Sequence, residues 1–190
     1  MSFYCEVGVT VKEVLDLHPQ IPSYQRPYKW TEKNVYELFF DILKAKKENE
    51  KEELDYRIGT IILHRHKKGD IYEYDIVDGQ QRIISLCLLL EILGNPIDLK
   101  VIDDSAGITK YNIIKNYTKL KNLVKSELSI PKDRKKYLEY ILNNCEFVKI
   151  VIETESQELA FQFFDSQNNR GKELEINNPA ARLRGISPHL

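Results

Sequence analysis

The sequence predicts a mixed α/β domain of the α+β kind, and three observations carry that expectation. Val35, Leu38, Phe39, Ile42 and Leu43 recur at the spacing of one helix face. Tyr72, Tyr74 and Ile76 alternate with Glu73 and Asp75 at the spacing of a strand. A third, almost wholly apolar segment, QRIISLCLLLEIL, follows that strand directly across Asp78-Gly79. No internal repeat and no low-complexity linker interrupts the 190 residues, so one core is expected.

Taken in order, Thr10-x-x-Glu13 fits a capping box that opens a short helix stopping before Pro19. IPSYQRPYKW, Ile21 to Trp30, holds two prolines that bias their predecessors to extended backbone, so it reads as an extended loop or edge strand. Thr31 can cap the amphipathic helix that contains Phe39, and Lys44, Lys46 and Lys47 complement the negative end of its dipole. Tyr56 to His64 and Ile71 to Val77 are rich in β-branched and aromatic residues and flank a glycine-containing turn, Lys67 to Asp70, which predicts a hairpin. The apolar helix after Gly79 closes at Gly94, Asn95 and Pro96. Two helical patterns surround Pro131 and form a helical insert over about 105–145, EFVKIVIE reads as a strand, and Gln157 to Phe164 as a helix.

Charge and cysteine content narrow the function classes. Lys plus Arg number 28 and Asp plus Glu 29, so a formal charge of -1 supplies no global attraction for nucleic acid or membrane, and any anion site must be local. Between 105 and 140, however, nine basic residues face three acids, and Lys115, Lys119, Lys121 and Lys125 could present a helical face to DNA phosphates or simply to solvent. Cys5, Cys87 and Cys145 form no C-x-x-C pair, which suits a reducing cytoplasm, and no apolar run approaches a membrane span. His64 and His66 alternate onto one strand face, but without a third ligand they read as solvated, and no zinc is assigned.

The chemistry concentrates in three stretches. In YDIVDGQQRIISL a strand turns through Asp78-Gly79 into a buried helix, whose first amides can hold a phosphate at Gly79, Gln80 and Gln81. Arg82 adds a forked cation, and Asp78 could hold a magnesium-bound water or orient an attacking one. The same residues also fit a purely structural reading, because Asp78-x-x-Gln81 is itself a capping box. Tyr24, Gln25 and Arg26, with Tyr28 and Trp30 beside them, suit base stacking and phosphate contact, or equally an edge strand covering the core. In FDSQNNRGKEL, Asn168 and Asn169 suit a helix C-cap or a ligand contact, and Arg170-Gly171 follows.

Together, IPSYQRPYKW, GTIIL, VDGQQR before an apolar helix, and FDSQNNRGKEL make the sequence resemble the N-terminal domain of the GmrS and GmrSD class of modification-dependent restriction proteins. The resemblance spans roughly residues 8–176 and implies a ParB/sulfiredoxin-like fold with a small mixed sheet. It implies nucleoside triphosphate hydrolysis with Mg2+, coupled to restriction of foreign or modified DNA. Asp78, Gly79, Gln80, Gln81 and Arg82 match the family's signature turn, Tyr24, Gln25 and Arg26 its Tyr-Gln-Arg segment, and Asn169, Arg170 and Gly171 its third motif. Asp78, Gln81 and Arg82 are then expected to be catalytic, with Asp78 at the metal and the others binding nucleotide. A His-Asn-His nuclease domain or subunit would be the partner, and this chain supplies none of its motifs. The sulfiredoxin-like catalytic cysteine is absent, because Gln80-Gln81 stands in the turn. Residues 177–190 depart from the family pattern and form an atypical tail. A DNA-binding or nicking module using the same turn, and a non-catalytic interaction domain, are the competing classes.

Overall fold

The Thr10 hydroxyl accepts the Glu13 amide at 3.2 Å while the Glu13 carboxylate accepts the Thr10 amide at 2.8 Å, so a reciprocal capping box turns the first strand into the first helix. The computed structural model describes residues 2–23, 25–52, 55–97, 108–156 and 158–162. The strand before this cap is β1 (Ser2–Thr10), and the helix after it is α1 (Val11–Asp16). They are followed by α2 (Glu32–Glu52), β2 (Tyr56–Lys68), β3 (Ile71–Asp78), α3 (Gln80–Ile92), α4 (Ile108–Glu127), α5 (Pro131–Asn144) and β4 (Cys145–Glu153). Residues 158–162 are helical.

The four strands form one mixed sheet in the order β1-β4-β2-β3. β4 runs antiparallel to β1 and parallel to β2, and β2 and β3 form the expected antiparallel hairpin. The hairpin is tighter than its sequence suggests: pairing continues to Lys68 opposite Ile71, so Gly69 and Asp70 alone make the turn. β1 is a strand that periodicity alone did not reveal. Most of its side chains are exposed, including Phe3 and Val7, so its register against β4 comes from backbone pairing and not from an apolar face.

The helices share one apolar cluster with the sheet. Phe39 and Ile42 of α2, Ile61 and Leu63 of β2, Ile83 and Leu86 of α3, Leu120 of α4, Tyr137 of α5 and Phe147 of β4 all belong to it and are buried. The Tyr137 hydroxyl donates to the Phe39 carbonyl at 2.8 Å, which satisfies the one polar atom that this ring carries into the core. Truncating a residue such as Leu86 would cost about 2–5 kcal/mol by the combined loss of transfer energy and cavity formation. Pro131 stands at the first position of α5, where its missing N–H costs nothing. α3 is buried along Ile83 to Leu90 and packs against α4.

Ahead of α2, the described residues between Gln20 and Trp30 form no strand of their own. Gln20 instead bridges to β3: its amide donates to the Tyr74 carbonyl and its carbonyl accepts the Ile76 amide, both at 2.8 Å. The segment therefore covers part of the outer edge of β3 and ends beside the start of α3.

Candidate functional site

The turn between β3 and α3 is dictated by Gly79. It has φ +94, in the left-handed region, and a Cβ there would lie 3.3 Å from both the Thr60 carbonyl oxygen and Ile61 Cγ1. No other residue fits without strain. Gly79 is also the N-cap of α3, and among the described residues no side chain caps that end, which corrects the alternative reading of Asp78–Gln81 as a capping box. The physical reason is that Asp78 is still part of the ladder, opposite Ile62, and the left-handed residue after it makes the turn unaided. Among the described residues the opening amides of α3 consequently have no side-chain acceptor.

The three glutamines around this turn hold backbone. Gln25 Nε2 donates to the carbonyls of Ile76 and Val77 at 2.9 and 2.8 Å. Gln80 Nε2 donates to the Arg26 carbonyl at 3.2 Å. Gln81 is the most fully used: its Oε1 accepts the Lys29 and Trp30 amides at 2.7 and 3.1 Å, and its Nε2 donates to the Pro27 carbonyl at 3.3 Å. Tyr28 locks the same loop from beneath. Its hydroxyl lies 2.7 Å from Ser85 Oγ and accepts Asn116 Nδ2 at 2.8 Å, while Asn112 Nδ2 donates to its carbonyl at 2.9 Å. Fully buried, Tyr28 cannot stack on a base, whereas Trp30 is only partly buried.

Arg82 Nη1 donates to the Thr60 carbonyl at 2.7 Å. One such bond orients a guanidinium and leaves further donors of its five-donor fork for an anion. Gln25, Arg26, Trp30, Asp78, Gly79, Gln80, Gln81 and Arg82 together line a cavity of about 140 Å³. That is below the roughly 300–1,000 Å³ of a site enclosing a whole drug-sized ligand and suits a phosphate-sized group. Two motifs that lie far apart in sequence are thus brought together. Tyr24 lies outside the described residues, as do Asn169, Arg170 and Gly171.

Residues 11–177 match the family described as GmrSD restriction endonuclease, N-terminal domain. The chain belongs to that family. No curated protein matches it. For a GmrSD N-terminal domain the association is with restriction, and the mixed α/β fold agrees with the expected class. Among the described residues no helix is long and apolar enough to cross a membrane. Cys87 and Cys145 are buried free thiols, and burial pushes both up and away from reactivity.

This GmrSD domain carries a second cluster that the sequence reading missed. His64 is 1% exposed, and its Nε2 lies 2.8 Å from the Thr154 carbonyl, so it is not solvated. Asp75, also buried, supplies the absent third ligand: its Oδ2 lies 3.1 Å from His66 Nε2 and 3.7 Å from His64 Nδ1. Burial alone would lower the His64 pKa, but the Asp75 carboxylate and the Thr154 carbonyl outweigh it and the net shift is upward. The cluster could coordinate a divalent metal. The signal was available in the hairpin: a two-residue Gly69-Asp70 turn sets Lys68 opposite Ile71, hence His66 opposite Glu73 and His64 opposite Asp75.

Proposed function

We propose that this domain binds a nucleoside triphosphate at the β3–α3 turn and hydrolyses it with Mg2+, and that this controls restriction of foreign or modified DNA. The observation that carries the reading is the start of α3, which no side chain among the described residues caps and which borders a phosphate-sized cavity together with the Arg82 guanidinium. Amides at a helix N-terminus and a guanidinium both favour concentrated negative charge. The backbone N–H groups of Gln80 and Gln81 and the fork of Arg82 bind phosphate oxygens and stabilise charge as the terminal phosphoryl group leaves. Arg26, exposed at the rim, meets phosphate or ribose. Tyr24, Asn169, Arg170 and Gly171 complete the nucleotide site by resemblance.

Asp78 is the carboxylate among the described residues lining this cavity. One carboxylate together with phosphate oxygens and waters is a ligand set Mg2+ accepts, so the residues present fit that ion. When bound, Mg2+ neutralises phosphate charge and polarises the phosphorus for attack. Asp78 would hold it and position the attacking water. The assignment of Gln81 shifts: its side chain is engaged by Pro27, Lys29 and Trp30, so its contribution to catalysis is to fix the loop and offer its amide.

DNA is a second partner supported by the exposed Lys110, Lys115, Lys121 and Lys125 on α4. A His-Asn-His nuclease domain or subunit would perform the cleavage that this chain regulates. Thermal melting against ATP, GTP, CTP and UTP, with and without Mg2+, tests the binding step, and phosphate release tests turnover. A bound ligand at 100 times its dissociation constant should raise the midpoint by roughly 5–10 °C. If no nucleotide raises it while a DNA duplex does, weakening as salt rises, the hydrolase reading gives way to a DNA-binding one.

A further inference from the structure

We propose that His64, His66 and Asp75 form a site for a first-row transition-metal dication of the zinc class, separate from the magnesium-dependent nucleotide site. Their ligand atoms lie within 4.8 Å of one another. Two of those separations, 3.1 and 3.7 Å, bracket the spacing of neighbouring ligands around an ion bound at about 2.0–2.2 Å. Two imidazoles and one carboxylate select zinc-class ions over Mg2+ or Ca2+, which take oxygen ligands.

The second, independent observation is the state of His64. A carbonyl oxygen can only accept, so the 2.8 Å contact with Thr154 requires the proton on Nε2. The outer nitrogen of a metal-binding histidine is held in this way, with the lone pair of the other nitrogen aimed at the ion. That other nitrogen, Nδ1, is buried and makes no hydrogen bond among the described residues, since Asp75 Oδ2, which it faces, stands 3.7 Å away. It points to the Asp75 carboxylate, which His66 Nε2 approaches from the next residue on the same strand face.

The surroundings suit an ion with one side open. A cavity of about 420 Å³ adjoins the cluster, lined by Gln20, Pro22, Ser23, Glu73 and Glu155 besides the three ligands. Glu73 is engaged by Lys68 Nζ at 3.0 Å, which leaves a water or Glu155 to fill the fourth position. The ion would tie the β2–β3 hairpin to the Thr154 loop through His64. It would also lie beneath the 20–23 segment, whose continuation, Gln25 and Arg26, lines the phosphate cavity.

The test uses the untagged 190-residue chain, stripped with a chelator and titrated with ZnCl2, CoCl2 or MgCl2 alone. Zinc should bind one per chain and raise the melting midpoint by roughly 5 °C when in large excess over its dissociation constant. Cobalt should give the visible absorption of a nitrogen–oxygen site, and magnesium should do neither. His66→Gln, at a partly exposed position, should keep the fold and weaken zinc by at least about 10- to 100-fold, the cost of losing even an outer partner of a metal ligand. Cys5→Ser should bind zinc as the parent does, because Cys5 lies outside the site. The proposal is overturned if folded parent chain binds no zinc, if magnesium competes equally, or if His66→Gln binds zinc unchanged. A failure here leaves the nucleotide reading untouched, because its readout is nucleotide-dependent melting.

Discussion

The guanidinium of Arg82 occupies the space in which a side chain on Gly59 would begin: a Cβ there would lie 2.5 Å from Nη1. Gly59 has φ +144 and sits in β2 one residue before Thr60, whose carbonyl accepts Arg82. A glycine in one strand thereby sets the position of the cation at the start of a helix. Gly59→Ala should lose about 1–3 kcal/mol through backbone strain and displace Arg82. In a double-mutant cycle with Arg82→Ala, the combined stability loss should fall short of the sum, because the truncated arginine no longer meets the new methyl. Strict additivity in chemical denaturation would show that the two residues do not interact.

Arg82→Ala should weaken nucleotide binding more than tenfold, because a charge-assisted phosphate contact is worth roughly 1.5–3 kcal/mol. Calorimetry on parent and variant checks this, with melting measured on both. Loss of stability at unchanged affinity would reduce Arg82 to a brace between α3 and Thr60.

Asp78→Asn separates chemistry from folding. α3 receives no cap from Asp78 and Asn is nearly isosteric with it, so the midpoint should move by less than about 2 °C. Phosphate release should nevertheless drop by at least about a hundredfold, since several kcal/mol of charge stabilisation would be lost. Equal turnover in variant and parent removes Asp78 from the catalytic group.

Gln81→Ala should behave in the opposite way. It removes the acceptor for two backbone amides and the donor to Pro27, at a cost of about 1–3 kcal/mol. Amide exchange at Lys29 and Trp30 should accelerate in the variant, and a protected Lys29 amide in folded Gln81→Ala would contradict the contact.

Alkaline stability follows from four buried acids. Burial raises Cys87, Cys145 and Tyr137 well above their ordinary values and pushes Tyr140 up to about 12. The folded state keeps these groups protonated, while in the unfolded chain the thiols ionise near pH 8.5 and the phenols near about 10. Stability is therefore full below about pH 8.5 and falls above it, by about 1.4 kcal/mol per pH unit for each titrating group. Denaturant midpoints under reducing conditions at pH 7, 9 and 10 should decline in that order, and Cys87→Ala should flatten the first part of the slope.

The elements with a strong period were readable from the sequence: α2, the β2–β3 hairpin, the apolar α3 and the proline-led α5 all follow from local pattern. β1 was not, because Phe3 and Val7 point outward and its register is borrowed from β4. At the site, the meeting of the Gln25-Arg26 segment with the Asp78–Arg82 turn was anticipated only through a joint motif. The partners of Gln25, Gln80 and Gln81 were not legible at all, since a glutamine that ties down a loop and one that meets a ligand are the same letter. His64 illustrates the other limit. Its neighbour Asp75 could have been found by counting outward from the turn, but its burial depends on the Thr154 loop contributed from ninety residues away.

The position of β4 has a consequence for synthesis. It is the last of the described strands to leave the ribosome, yet it lies between β1 and β2, so the ladder of Ser2 with Glu153 and that of Tyr56 with Cys145 both wait for it. A nascent chain that ends before residue 145 exposes β1 with no neighbour and β2 with an open side, two edges ready to pair with other chains. The parallel β2–β4 ladder is also the slow kind to form, because it closes a long loop before any contact rewards it. Premature termination within α5 should therefore yield aggregates, whereas chains released after Glu153 already hold all four described strands of the sheet.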